Sequence, residues 1–191
     1  MRIFLAGASG VIGRRLVPLL VESGHEVAGM TRTPAKADTL LGLGAEPVVC
    51  DVYDAGRLGE AVVDFGPELV MHQLTDLPDE EASIAGSNAN ARMRREGTRN
   101  LLAAARAARA ARFLAQSVAW DPPGEGAHAK ADLERLTLEA GGVVLRYGRF
   151  YGPGTYHDEP PAPPRIHIDE AARRTVELLD VPSGIHTVVE D

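Results

Sequence analysis

Cysteine, long apolar runs, clustered metal ligands and excess positive charge are all scarce in this chain, and each scarcity closes off a class of protein. The single cysteine, Cys50, excludes an intrachain disulfide and any cysteine-only metal site. It also fits a reducing compartment, so a cytoplasmic location is expected. No apolar run approaches the roughly 18 residues of a membrane span, and MRIFLAGASG turns glycine-rich too early to hold a signal-peptide apolar region. Lysine and arginine number 20 against 27 acidic residues, a net charge of −7. That balance argues against wholesale binding of nucleic acid or an anionic membrane and fits a small-molecule substrate or a protein partner better. The histidines at 25, 72, 128, 157, 167 and 186 are scattered, and His167 with Asp169 is too little for a metal site, so none is expected. There is no internal repeat and no linker.

What is present is a regular alternation of short apolar and longer amphipathic segments. RIFLA, VIGRRLVPLLVES, HEVAGM, PAKADTLLGL, EPVVC, AGRLGEAVVDF and ELVMHQL follow one another as strand, helix, strand and so on. This pattern predicts an α/β fold, a parallel sheet with helices on both faces, in one domain spanning 1–191. A long helix is expected from Asn90 to Arg112, then a strand in RFLAQSVAW, a helix in LERLTLEA and a strand in GVVLRYG. Arg106, Arg109 and Arg112 read as a solvated helical face. After Tyr151, the residues Gly152, Pro153 and Gly154 open a proline-rich loop to Pro164. A last helix in DEAARRTVELLD, with Asp169 as N-cap and Pro182 beyond its end, precedes a strand GIHTVV. Cys50 ends an apolar strand and reads as a small core residue.

The strongest local motif is GASGVIG, with Gly7, Gly10 and Gly13 directly after a strand and opening a helix. Gly7 allows the tight turn, Gly10 lets a pyrophosphate approach the backbone, and Gly13 allows close packing of helix on strand. The phosphate charge would sit at the helix N-terminus, among free N–H groups. Dinucleotide-binding chains of this kind usually carry an acidic residue about 20 positions further on, to hold the adenosine ribose hydroxyls. Here that place reads GMTRTPAK. It offers no carboxylate, and Arg32, assisted by Lys36, is placed to meet a 2′-phosphate, so NADP(H) is expected over NAD(H). Asp51, ending VVCDV, is either an acceptor for the adenine amino group or the cap of a turn.

Together with VMHQLTD, REGTRNLL, FLAQSVAW, LRYGRFYGPGT and RIHIDEAARRTVELL, these residues resemble the short-chain dehydrogenase/reductase superfamily of the extended or atypical type, the NAD-dependent epimerase/dehydratase-like group. The resemblance runs through nearly the whole chain. It implies a Rossmann-like doubly wound parallel sheet with a reduced C-terminal substrate region, since only the loop over residues 151–168 stands where extended members insert a substrate lobe. It implies a cofactor site of Gly7, Ser9, Gly10, Val11, Ile12 and Gly13, with Arg32, Lys36, Asp51, Val52, Leu74 and Thr75 around it and Lys130 on the nicotinamide ribose. It also implies a possible homodimer through the helices of Asn90 to Arg112 and Ala129 to Ala140.

In such enzymes a hydride passes between the nicotinamide and a substrate carbon while a tyrosine handles the oxygen's proton, assisted by a lysine four residues later and a serine or threonine after the fifth strand. Lys130, followed by Glu134 and Leu136, resembles the lysine helix, and reads equally as a surface residue paired with Glu134. Four residues before it stands Gly126, so the usual acid/base is absent. His128 lies two residues from Lys130 and would face away on a helix. Tyr151 is a candidate substitute donor, a substrate contact or a packing residue. Ser117 is the best counterpart of the serine, with Gln116 and Val118 as its neighbours in register. His72 reads as a core histidine. Three functions stay open: an NADP(H)-dependent oxidoreductase or epimerase of a small carbonyl or hydroxyl compound, an inactive NADP(H)-binding sensor, or a non-redox lyase, cyclase or isomerase.

Overall fold

The computed structural model describes residues 1–78, 81 and 88–190. Its strands are β1 (Arg2–Ala6), β2 (Glu26–Thr31), β3 (Glu46–Val49), β4 (Leu69–His72), β5 (Arg112–Val118), β6 (Val143–Tyr147), β7 (Arg149–Tyr151), β8 (Arg165–His167) and β9 (Gly184–Val188). The α-helices are α1 (Gly13–Glu22), α2 (Ala37–Gly42), α3 (Ala55–Phe65), α4 (Ala89–Arg92), α5 (Thr98–Ala107), α6 (Glu125–Glu139) and α7 (Ile168–Glu177). Seven strands form one sheet in the order β3-β2-β1-β4-β5-β6-β9, every neighbouring pair parallel, and β7 pairs with β8 apart from it.

The continuous apolar run of β1 explains its central place. Ile3 and Leu5 face one core, with Leu16 and Leu20 of α1 and Ile168 of α7. Phe4 and Ala6 face the other, with Leu58 and Val62 of α3 and Leu101 of α5. Strands buried on both faces are what helices on both sides of a parallel sheet require. The chain winds outward through β2 and β3, then returns to the other side of β1 as β4. The order therefore reverses between β1 and β4, and a crevice opens beyond their C-terminal ends.

Several boundaries differ from those the sequence predicts. The helix expected from Asn90 to Arg112 is α4 and α5 joined by a π-helical turn over Met93–Gly97, and it ends at Ala107. Arg109 then takes a left-handed φ of 56° and Arg112 already belongs to β5. An alanine-rich run has high helix propensity throughout and no stop residue, so its end is set by where β5 must begin. α6 starts earlier than LERLTLEA suggests, and Gly126, His128 and Lys130 all lie on it. The cap of α7 is His167, whose Nδ1 accepts from the Asp169 N–H at 3.3 Å, because β8 runs directly into the helix.

Candidate functional site

The crevice at the strand-order reversal is an open cleft of about 710 Å³. Its floor is the loop after β1, where Gly7 has φ of 93° and a β-carbon would stand 2.6 Å from the Gln73 carbonyl oxygen. The loop after β4 therefore lies against Gly7 backbone to backbone, and no other residue fits there. Gly10 N–H closes the turn on the Gly7 carbonyl at 3.0 Å. The N–H groups of Ser9, Val11 and Ile12 meet no acceptor among the described residues, and α1 begins with no side-chain cap. Unsatisfied donors at a helix N-terminus form an anion site, so the backbone fits a pyrophosphate.

Nine of the sequence-predicted cofactor residues line this cleft. Gly7, Ser9 and Gly10 come from the loop after β1, Arg32 and Lys36 from the β2 end, Asp51 and Val52 from the β3 end, and Leu74 and Thr75 from the β4 end. Val11, the N-cap Ile12 and Gly13, the first residue of α1, lie beside it. Ser9 Oγ and Thr31 Oγ1 share a hydrogen bond of 2.9 Å, and the Thr33 N–H donates to Thr31 Oγ1 at 3.2 Å, which gives the β2 end a polar, hydroxyl-rich wall. Asp51 Oδ1 accepts from the Tyr53 N–H at 2.9 Å, capping a turn, and the residue also lines the cleft. Cys50 is buried beside it, and burial pushes its thiol pKa up, away from reactivity.

Lys130 stands apart from the cleft wall. Its Nζ donates to the Trp120 carbonyl and to Asp121 Oδ1, both at 2.9 Å, and this contact holds the Asp121 carboxyl below its ordinary pKa. Glu134, one turn on, takes the Ser117 hydroxyl at 2.6 Å and a two-pronged contact from Arg146 at 2.9 and 2.6 Å. Burial alone would raise the Glu134 pKa, but the bonds from Arg146 and Ser117 outweigh it and hold it low. An ionised carboxylate can only accept, so the proton of Ser117 is committed to Glu134. Tyr151 donates to both oxygens of Glu190, at 2.8 and 3.0 Å, and that carboxylate raises its pKa. At Gly126 an added β-carbon would lie 2.9 Å from the Pro122 β-carbon, so the proline ring fills the direction a tyrosine would take. His128 points outward toward Glu125, on a different face from Lys130.

Two nearby residues gave no signal in the sequence. Arg94, in the π-helical turn, is buried, and among the described residues only the Gly126 carbonyl, at 3.4 Å, accepts from its guanidinium. Burial lowers its pKa and the Glu134 charge opposes that shift. Asp76, in the loop after β4, contacts Arg32 across the cleft. His72 is fully buried, and burial with the nearby Arg94 charge lowers its pKa to about 4. Its Nδ1 accepts from the Leu74 N–H at 3.3 Å, and Nε2 pairs with Thr98 Oγ1 at 3.1 Å.

A parallel sheet with this strand order, a glycine turn into an uncapped helix and a cleft at the reversal define a nucleotide-binding α/β protein of the Rossmann-like class. The chain belongs to the NAD dependent epimerase/dehydratase family, whose model matches residues 3–181. A 3-diazoavenalumate denitrifying reductase from a Streptomyces species is 39% identical over 81% of this chain, and the chain spans 58% of that relative's length. Among solved structures, the Thermus thermophilus UDP-glucose 4-epimerase complex with NAD has TM-score 0.82 at 21% identity, covering 99% of this chain and 78% of its own. A Thermotoga maritima UDP-glucose 4-epimerase with UDP-glucose has TM-score 0.81 at 17% identity, with 99% and 77% covered. At those identities the two structures show the fold. The family's name points to a nicotinamide dinucleotide as the cofactor class. No helix among the described residues is long and apolar enough to cross a membrane.

Proposed function

We propose that this chain is an NADP(H)-dependent reductase of a small-molecule acceptor. The observation that carries the reading is the β2 end, where Arg32 and Lys36 line the cleft beside the Ser9 and Thr31 hydroxyls and the strand offers no carboxylate. A 2′-phosphate on the adenosine ribose would find a guanidinium, an ammonium and hydroxyl donors there, whereas a bare ribose would find no anionic acceptor on β2. The Ser9, Val11 and Ile12 N–H groups would hold the pyrophosphate, and Lys130 keeps a third N–H for the nicotinamide ribose. When bound, the cofactor supplies a hydride.

The protein side of that transfer is poor in acid. Ser117 is committed to Glu134 and Tyr151 to Glu190, while Pro122 occupies the tyrosine direction at Gly126. This favours an acceptor that takes a hydride without a protein-borne proton. Replacement of a diazonium group by hydrogen is such a reaction: hydride adds, dinitrogen leaves, and no alkoxide forms. The relative named as a denitrifying reductase of a diazo compound is consistent with it. Titration of NADPH and NADH tests the cofactor assignment; tighter NADPH is expected, and tighter NADH overturns it. Mixing with NADPH and, separately, an arenediazonium salt or a simple ketone tests the acceptor. Nicotinamide absorbance is expected to fall with the diazonium salt faster than its enzyme-free control, and a preference for the ketone overturns the acid-free reading.

A further inference from the structure

The β2 end offers no carboxylate, but the opposite bank supplies one. Asp76, in the loop after β4, accepts from Arg32 Nη2 at 3.3 Å, across the mouth of the cleft. The two partners are held unequally. The Asp76 backbone N–H donates to Asn90 Oδ1 at 3.1 Å and its side chain is 24% exposed, while the Arg32 side chain is 61% exposed. The carboxylate is the anchored member and the guanidinium the movable one.

We infer that Asp76 is a specificity-determining residue of the cofactor site, competing with a ribose 2′-phosphate for Arg32 and so moderating the preference for the phosphorylated dinucleotide. The inference rests on the NADP(H) reading above. A phosphate drawing on Arg32 must displace the Asp76 contact or share the guanidinium with it, and sharing puts two anions within a few ångströms of each other. Either way Asp76 opposes the phosphate. A dinucleotide with a free 2′-hydroxyl brings no charge to that spot and leaves the Arg32–Asp76 pair intact. Asp76 therefore weakens one cofactor and spares the other.

The test is equilibrium titration of NADPH and NADH into the wild type, Asp76→Asn, Arg32→Met and Asp64→Asn. The last removes the same charge from the end of α3 beside Phe65, whose carbonyl binds Arg2 at the opposite end of β1 from the glycine loop. Asp76→Asn is expected to tighten NADPH by about two- to fivefold, the span of an exposed ion pair, and to leave NADH unchanged. The gain should shrink as salt screens the charges, and Asp64→Asn should alter neither affinity. Unchanged or weaker NADPH binding in Asp76→Asn, or an equal gain for both cofactors, overturns the inference while leaving the NADP(H) reading intact. Arg32→Met with undiminished NADPH affinity overturns that reading, and the inference falls with it.

Discussion

His72 links the buried interior to the cofactor cleft through its two ring nitrogens. Thr98 Oγ1 gives its own proton to the Arg94 carbonyl at 2.5 Å, so it accepts from His72 Nε2–H, and Nδ1 is left to accept from the Leu74 N–H. Leu74 lines the cleft, so the neutral histidine positions a piece of its wall. Protonation of Nδ1 would break that bond and place a second cation near Arg94. The folded-state pKa of about 4 lies below the ordinary 6.5. The unfolded chain thus takes up the proton first as pH falls. The contribution of His72 is complete above pH 6.5 and is lost progressively as pH drops toward about 4. Its full size is on the order of 3 kcal/mol. Thermal unfolding scanned across that window should show the melting temperature falling, and His72→Gln should flatten that part of the profile. An unchanged slope in the variant would remove His72 as the cause.

At the scale of elements, α6 carries Gly126, Lys130 and Glu134, three of the groups on which the acid-poor reading of the proposed reaction rests. The four-residue spacing of Lys130 and Glu134 put both on one helical face, and with the family resemblance it marked Gly126 as the missing tyrosine, but the sequence equally allowed a surface pair where the structure buries both. What the spacing could not show is the partner of each group. Ser117 meets Glu134 and Lys130 meets the Trp120 carbonyl through tertiary packing of β5, α6 and β6, and no local pattern encodes those contacts. The π-helical turn that carries Arg94 inward was equally invisible, because Met93–Gly97 has ordinary helical composition. The tight turn at Gly7, by contrast, was legible; that the turn is pressed against the Gln73 backbone, which leaves only glycine, was not. Gly126 has a different cause, the Pro122 ring. Gly126→Tyr is therefore expected to lower stability by about 2 kcal/mol through overpacking, outweighing a helix-propensity gain of roughly 0.5 kcal/mol. Adding Pro122→Ala should recover most of that loss in a denaturant melt. A tyrosine tolerated at no cost beside an intact Pro122 would show that the proline does not guard the position.

Across the whole molecule, the cleft straddles a seam. β1, β2 and β3 form one half of the sheet and β4, β5, β6 and β9 the other, and the halves join through the β1–β4 pairing from Ile3 opposite Leu69 to Ala6 opposite His72. The predicted cofactor residues divide the same way, with the glycine loop, Arg32, Lys36 and Asp51 on one bank and Leu74 and Thr75 on the other. A dinucleotide lying in the cleft would touch both halves, so its binding energy should appear as cooperative stabilisation of the entire sheet. At a hundredfold excess over Kd, a ligand that binds only the folded state adds about 2.7 kcal/mol. For a domain of this size that raises the melting temperature by about 5–10 °C. NADPH should produce such a shift in a single sharpened transition, and NADH a smaller one at equal concentration. Two separate transitions, with only one displaced by NADPH, would mean that the ligand grips one bank alone and that the seam between β1 and β4 plays no part in holding it.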